Sequence, residues 1–286
     1  IKSRDDTKVL FLTGSNGWQI HKEILEWLQL NSIALKKKQS HQWQQKRIDM
    51  YERALCYEHS DYPKVLLSEI LQRTDHLEAK SWLDLGAGTG AFSIPLAKKS
   101  KSVYCIDSSF NMLLNLSRKL HTEKMSNIKA SLIPFSRMKD MTFDYTLSSF
   151  SGNALRENDN ITRFIEIANE KAFIICPPEK ERHNFNGEVL EERLGRRIKS
   201  FGGSSTETLD YLESKKIIHH YKEIAYNFPQ VFNTREECFY FFKDFYHIDR
   251  HEETVLKTFI DEFLRAEQRY YVFDNFRRAG LVTIEK

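Results

Sequence analysis

Short apolar segments alternate with longer amphipathic segments through the middle of the chain. The apolar segments predict buried strands at 82–85, 102–107, 127–133, 143–147 and 171–175. Between them, apolar residues recur at helical spacing, as from 91 to 99. Strands that alternate with helices in this way are typical of an α/β domain with a parallel sheet.

The flanking regions carry further helix and strand patterns. Before the central strands, the sequence predicts a strand and turn at 8–17 and helices at 18–30, 41–58 and from Pro63. After them, it predicts a charged surface helix or lid within 179–200, a helix at 206–215, one long strand at 217–231, helices from Thr234 to 246 and at 252–268, and a last strand at 280–285. We expect residues 1–40 to form a separate strand–helix segment or the tail of a preceding domain. Residues 41–286 would form the main domain, with lid insertions around 179–215 and 232–268.

A glycine-rich turn follows the first central strand. Gly86, Gly88 and Gly90 lack a Cβ, so the backbone can turn sharply there and approach a ligand closely. The helix expected at 91–99 would direct its free N–H groups into this turn. Such a turn at the carboxyl end of a parallel strand is where open α/β sheets bind nucleotide-like ligands.

Asp84 distinguishes between two ligand classes for this turn. The spacing Gly86-x-Gly88-x-x-Ala91 also fits the loose dinucleotide fingerprint. A carboxylate at Asp84, however, would repel a pyrophosphate placed on the turn and attract an ammonium group. The sequence therefore favours a ligand that is cationic at this point.

A second acidic residue lies at the end of the next predicted strand. Asp107 lies at the end of 102–107, roughly 20 residues after the turn, where an acid can accept both hydroxyls of a ribose. This function suits any bound nucleoside. Together, the two acids indicate a nucleoside with a cationic tail.

At these residues the sequence resembles the class I, Rossmann-like methyltransferases that depend on S-adenosylmethionine. The resemblance covers roughly 79–178, with the glycine motif at 83–90 and the ribose acid at Asp107. It implies a doubly wound, mostly parallel sheet of seven strands with the last strand antiparallel, N-terminal helices and a helical lid. It also implies S-adenosylmethionine as cofactor and S-adenosylhomocysteine as product. A nicotinamide enzyme and an empty glycine turn are the alternatives.

The resemblance also implies a set of cofactor-binding residues. They are Asp84, Gly86, Ala87, Gly88, Gly90, Asp107, Ser108, Met112, Pro134, Phe135 and Ser149. Ser108 and Met112 would lie near the adenosine, and Ser149 near the methionine end and the acceptor. At 134–136 the family often has an acid for the adenine amino group, so the contact here would come from the main chain of Pro134 and Phe135 or from Ser136. No catalytic residue is assigned.

No motif in the sequence identifies the methyl acceptor. Amine-methylating relatives place an Asn/Asp-Pro-Pro-aromatic tetrad after the fourth strand, where this chain has 148–153 without it. A net charge of +3 does not by itself indicate a nucleic-acid partner. A near-neutral single domain with an aromatic helix at 238–242 favours a small-molecule acceptor. An RNA or protein methyltransferase and a non-catalytic cofactor-binding module are the alternatives.

The remaining polar residues indicate little further chemistry. Four scattered cysteines are typical of free thiols in a reducing cytoplasm, and no apolar run is long enough for a membrane span. His247 and His251 lack a third ligand, so no metal site is predicted. Arg277 and Arg278 are interpreted as a small solvated basic patch. The oligomeric state is left open.

Overall fold

The computed structural model describes residues 11–13, 45–156, 159–178, 185–198 and 205–286. The helix expected at 18–30 and the start of the charged segment at 179–184 lie outside the described residues.

The described elements follow the predicted alternation of strands and helices. The strands are β1 (Phe11–Thr13), β2 (Ser81–Leu85), β3 (Ser102–Asp107), β4 (Ile128–Leu132), β5 (Phe143–Ser149), β6 (Ala168–Cys176), β7 (His219–Asn227), β8 (Gln230–Phe232), β9 (Leu264–Ala266), β10 (Tyr271–Phe273) and β11 (Phe276–Glu285). The helices are α1 (Gln45–Cys56), α2 (Lys64–Leu71), α3 (Ser93–Ala97), α4 (Phe110–Thr122), α5 (Gly152–Arg156), α6 (Asn160–Glu166), α7 (Gly187–Leu194), α8 (Ser205–Ser214), α9 (Arg235–Phe245) and α10 (Glu253–Phe263).

The main sheet has the order β1-β4-β3-β2-β5-β6-β11-β7. Strands β2 to β6 pair in parallel, and β11 is antiparallel to both β6 and β7. The expected sheet with an antiparallel last strand is thereby confirmed. The chain leaves β2 toward β3 on one side and returns to β5 on the other, which opens a crevice at the carboxyl end of β2.

An additional strand extends this sheet. Phe11 to Thr13 pair antiparallel with Ser131 to Lys129 at the β4 edge. The strand expected near the start of the chain therefore joins the main sheet. The proposed division between 1–40 and 41–286 stays a prediction.

Helices cover both faces of the central strands, as the near-continuous apolar pattern requires. On one face, Trp82 and Phe173 pack with side chains of α2, α3 and α4. On the other, Leu83 and Ile174 pack with side chains of α6 and α8. Because helices pack on both faces of β2, the position of the turn that follows this strand is fixed.

Two predicted elements end earlier than expected. The strand expected over 217–231 breaks at Pro229, which has no N–H for a sheet hydrogen bond, and the chain enters a second sheet. The helix expected over 252–268 stops at Phe263, because Leu264 to Ala266 pair with β10. This second sheet, β8-β10-β9, was not anticipated.

The second sheet packs with α7, α9 and α10 around its own aromatic core, which includes Phe242, Phe259 and Phe273. Helix α9 begins where Thr234 Oγ1 accepts a hydrogen bond from the Glu237 amide at 2.9 Å. Gln230 donates to the Met50 carbonyl at 3.0 Å and so ties this layer to α1. The layer thereby lies against the helices that precede β2.

Gly90 offers a stability test of the turn. Its φ is +87°, and an added Cβ would lie 2.5 Å from Leu116 Cδ1 on α4. Gly195 has a similar φ of +63° with nothing within 4 Å of the added Cβ. We expect Gly195→Ala to cost about 1 kcal/mol and Gly90→Ala about 1–3 kcal/mol more, since it adds overpacking to backbone strain. Urea unfolding measures both, and equal costs would contradict the packing assigned to Gly90.

Candidate active site

The glycine turn, residues 86–90, lies over the carboxyl ends of β2 and β3. The amides of Gly86 and Ala87 both donate to the Ile106 carbonyl, at 2.7 and 3.1 Å. A Cβ on Gly86 would lie 1.8 Å from Ser151 Oγ, whereas one on Gly88 would meet only Met112 Sδ at 3.8 Å and a backbone oxygen at 4.0 Å. The turn is therefore packed at Gly86 and open at Gly88, where a ligand can approach the backbone.

Asp107 connects the turn to the next strand. One carboxylate oxygen accepts from the Gly88 amide at 2.9 Å, and the other accepts from the Ser109 amide at 2.7 Å. Burial raises the pKa of Asp107, and these amides oppose the rise. Each oxygen can accept a further hydrogen bond, so the carboxylate suits a pair of neighbouring hydroxyls.

Asp84 is the more buried acid, with 2% of its surface exposed. Its carboxylate accepts a hydrogen bond from Ser93 Oγ at 2.5 Å. Burial raises its pKa to about 7; the Ser93 hydrogen bond opposes this rise, and the charge of Asp107 adds to it. A cation bound beside Asp84 would favour its charged form.

Both acids face one cavity of about 350 Å³. Seven of the eleven predicted site residues line it, namely Asp84, Gly86, Ala87, Gly88, Asp107, Met112 and Ser149. Phe150 and Ser151 line it as well. The loop after β5 therefore meets the glycine turn, as the resemblance implied.

The other four predicted residues do not line the cavity. Gly90 packs against α4, and Ser108 and Pro134 are exposed on the surface. Phe135 is 2% exposed in the core of the opposite face, and its carbonyl accepts from Arg163 Nη1 at 3.0 Å. The adenine contact expected from 134–136 therefore stays a prediction.

Aromatic side chains form the rest of the cavity. This aromatic wall consists of Tyr51, Tyr62, Phe92, Phe150, Phe185, Tyr226, Phe228, Phe241 and Phe245. Tyr62 lies at its centre, with ring centroids 4.9 Å from Phe228 and 5.4 Å from Tyr226. The Tyr62 hydroxyl lies 3.4 Å from Ser149 Oγ, which places the wall next to the loop after β5.

Sequence reasoning identified this wall only in part. The aromatic helix expected at 238–242 contributes Phe241, whereas no pattern distinguished Tyr62, which lines the cavity, from Tyr57, which pairs with Glu267. Helix α9 performs two tasks: Phe241 and Phe245 line the cavity, while Cys238 and Phe242 are buried in the separate aromatic core.

The comparisons with known proteins agree with this geometry. A sequence model described as a methyltransferase domain matches residues 83–170. This match includes the glycine turn, both acids and the loop after β5, and it assigns residues 83–170 to a methyltransferase domain. A search of curated protein sequences gave no match.

Solved structures with a similar fold include methyltransferases that act on different molecules. Phosphoethanolamine N-methyltransferase 2 of Haemonchus contortus, solved with phosphomonomethylethanolamine and S-adenosylhomocysteine, superposes with a TM-score of 0.53 and 15% identity over 85% of this chain and 58% of that one. Magnesium protoporphyrin IX methyltransferase of Synechocystis PCC 6803, with S-adenosylhomocysteine bound, has a TM-score of 0.49 and 12% sequence identity over 93% of this chain and 94% of that one. At these identities the likeness concerns the fold.

The basic pair near the start of β11 is divided between two faces. Arg278 is 62% exposed and pairs with Glu223 at 3.5 Å, whereas Arg277 lines the cavity that Asp84 and Asp107 face. The interpretation of both residues as a solvated patch was therefore wrong for Arg277. Alternation along a strand places neighbouring side chains on opposite faces, and that signal predicts one inward arginine.

Within the described residues no group of three or more His, Cys, Asp or Glu side chains is arranged to hold a metal ion. In the same ranges, each helix is too short or too polar to cross a bilayer.

Proposed function

We propose that this methyltransferase domain transfers the methyl group of S-adenosylmethionine to a small molecule bound against the aromatic wall. The supporting observation is the continuity of one cavity from Asp84 and Asp107 to Tyr62, Phe150 and Phe241. A donor on the glycine turn and an acceptor on the wall would share this cavity.

The residues of the turn fit the donor. Asp107 would accept hydrogen bonds from the ribose hydroxyls, and Asp84 would attract the ammonium group. The space at Gly88 would let the ligand lie close to the backbone. Met112, 5% exposed at the start of α4, would contact the adenosine. Once bound, S-adenosylmethionine supplies an electrophilic methyl group on a positively charged sulfur.

The protein contributes position and exclusion of water to this reaction. The aromatic wall removes water from the space beside Ser149, and its ring faces favour a nearby positive charge. Placing the acceptor in line with the methyl group supplies most of what the reaction requires. Burial raises the pKa of Tyr62, so its hydroxyl stays protonated and serves as a hydrogen-bonding group near the acceptor.

Two measurements test this function. Calorimetry should show micromolar binding of S-adenosylmethionine and S-adenosylhomocysteine and much weaker binding of NAD. With radiolabelled methyl donor and a cell extract, label should enter the small-molecule fraction. No heat with either sulfur nucleoside would contradict the donor site, and label in RNA, in protein or in no fraction would contradict the small-molecule acceptor.

We further propose that the protein works in the cytoplasm. The four cysteines are free thiols in the described structure, three of them buried. Free thiols are typical of a reducing compartment. Localisation of a tagged chain in cells tests this proposal.

A further inference from the structure

Arg277 lines the cavity and forms no ion pair with a carboxylate of the described residues. Its guanidinium carbon lies 5.6 Å from the ring centroid of Phe150 and 5.8 Å from that of Tyr226. Its Nε is buried and has no hydrogen-bond partner in the part of the chain that the structure describes. Ring faces attract a cation but accept no strong hydrogen bond, so this buried N–H donor remains unsatisfied.

Three other partly buried arginines have hydrogen-bond partners within the protein. Arg53 pairs with Glu237 at 2.7 Å, and Arg196 pairs with the buried Glu252 at 2.5 Å. Arg163 donates to main-chain carbonyls. Arg277 is half-buried, and its buried Nε has no such partner among the described residues, as at a site that a ligand completes.

We infer that Arg277 binds a carboxylate carried by the methyl acceptor. This inference rests on the proposed function and specifies the acceptor as an anion with an apolar or aromatic body. A guanidinium binds a carboxylate through two parallel hydrogen bonds, and exclusion of water by the aromatic wall strengthens such a pair.

The S-adenosylmethionine molecule also carries a carboxylate, on its methionine part. The surroundings of Arg277 favour the acceptor, because its contacts are with Phe150 and Tyr226 of the aromatic wall. Arg47, the other arginine that lines the cavity, lies on α1. This helix is joined to α4, which carries Met112, by the ion pair between Glu52 and Lys119 at 2.5 Å.

The chemistry of the acceptor end follows from the same contacts. The carboxylate would lie at Arg277, the apolar body against the rings, and the methyl-accepting atom toward Ser149 and the glycine turn. A doubly charged phosphate would leave one negative charge uncompensated at this single guanidinium. A monocarboxylate is therefore the better match.

Three matched probes test the inference, namely 3-phenylpropanoate, 3-phenylpropanamide and 3-phenylpropylamine. Each is titrated into protein saturated with S-adenosylhomocysteine, and binding is measured by saturation-transfer NMR. The acid should bind at least about tenfold more tightly than the amide, since hydrogen bonds to charged groups are the stronger ones, and the amine should bind most weakly.

Variants assign the preference to one side chain. In Arg277→Met the acid and the amide should bind within about twofold of each other, and in Arg277→Lys a partial preference should remain. Arg278→Met is the matched control, because Arg278 is exposed and pairs with Glu223 outside the cavity. Its preference for the acid should equal that of the wild type. Since Arg277 carries an unsatisfied donor, Arg277→Met should melt at the wild-type temperature or above.

Equal binding of acid and amide by the wild type, or binding of neither, would overturn the inference. An Arg277→Met protein that loses affinity for S-adenosylhomocysteine more than about threefold would assign the guanidinium to the methionine carboxylate instead. Equal effects of the Arg277 and Arg278 substitutions would indicate a general charge effect. Failure of the proposed function is distinguishable, because the wild type would then not bind S-adenosylhomocysteine at all.

Discussion

Replacing Asp107 with alanine should lower the affinity for S-adenosylmethionine by about 100-fold or more. Two hydrogen bonds from ribose hydroxyls to a carboxylate contribute about 1.5–3 kcal/mol each. The substitution also leaves the amides of Gly88 and Ser109 without their acceptor, which loosens the turn in the free protein. Isothermal titration calorimetry measures the loss.

Asp144 provides the control for Asp107. Its carboxylate also accepts a backbone amide, from Ser81 at 2.7 Å, but at the opposite end of β2. Asp144→Ala should lower the free energy of unfolding and leave the affinity for the donor unchanged. A loss of less than about threefold for Asp107→Ala, or similar losses for both variants, would show that the ribose is bound elsewhere.

Asp84→Asn should weaken donor binding and stabilise the free protein above neutral pH. The pKa of Asp84 is about 7, raised by burial from the ordinary value of 3.8. The folded state thus holds a proton that the unfolded state has lost between these two values. The free energy of unfolding therefore falls as pH rises from about 4 to about 7, by up to about 4 kcal/mol, and is level above that.

Asparagine carries no charge, so this contribution disappears in the variant. At pH 8, Asp84→Asn should exceed the wild type by about 2–4 kcal/mol, and below pH 4 the two should be equal. Urea unfolding across this range measures the difference. A wild-type stability that rises between pH 4 and 7 relative to the variant would show that Asp84 is ionised at low cost in the free protein.

Donor binding should follow the opposite trend with pH. Because the charged form of Asp84 attracts the ammonium group, wild-type affinity should fall about tenfold for each pH unit below about 7. Asp107, whose pKa burial also raises, adds to the fall at lower pH. Asp84→Asn should bind at least about tenfold more weakly at pH 8 and lose the dependence near neutrality. A pH-independent wild-type affinity would place the ammonium group elsewhere.

The arrangement of the proposed donor side could be predicted because its signals are local in sequence. A buried strand, three glycines and an acid at the end of the next strand fix Asp84, Gly88 and Asp107 within a short segment. Parallel strand ends meet at one edge of a sheet, so their proximity follows from the element pattern alone. Both acids do face one cavity.

The acceptor side could not be predicted in the same way. Tyr51, Phe185 and Phe241 come from three distant segments, and only the second sheet and its aromatic core bring them together. From the sequence alone, each of these aromatic residues could equally be a core residue. Phe242, the neighbour of Phe241, is indeed in the aromatic core. Tertiary packing decides which aromatic residues line the cavity.

The position of Arg277 in the cavity also could not be predicted, because it depends on where the last strand begins. Two adjacent arginines resemble a solvated patch until the strand is known to extend to Phe276, four residues before the predicted start at 280. Once it does, alternation divides the pair between the cavity and the solvent. The error in the strand boundary therefore concealed a candidate binding residue.

A crystal structure with S-adenosylhomocysteine tests the central claim most directly. We predict both ribose hydroxyls within hydrogen-bond distance of the Asp107 carboxylate, the amino group beside Asp84, and the sulfur facing Ser149 and Phe150. A nucleoside bound away from Asp107, or oriented with its sulfur away from the aromatic wall, would contradict the account.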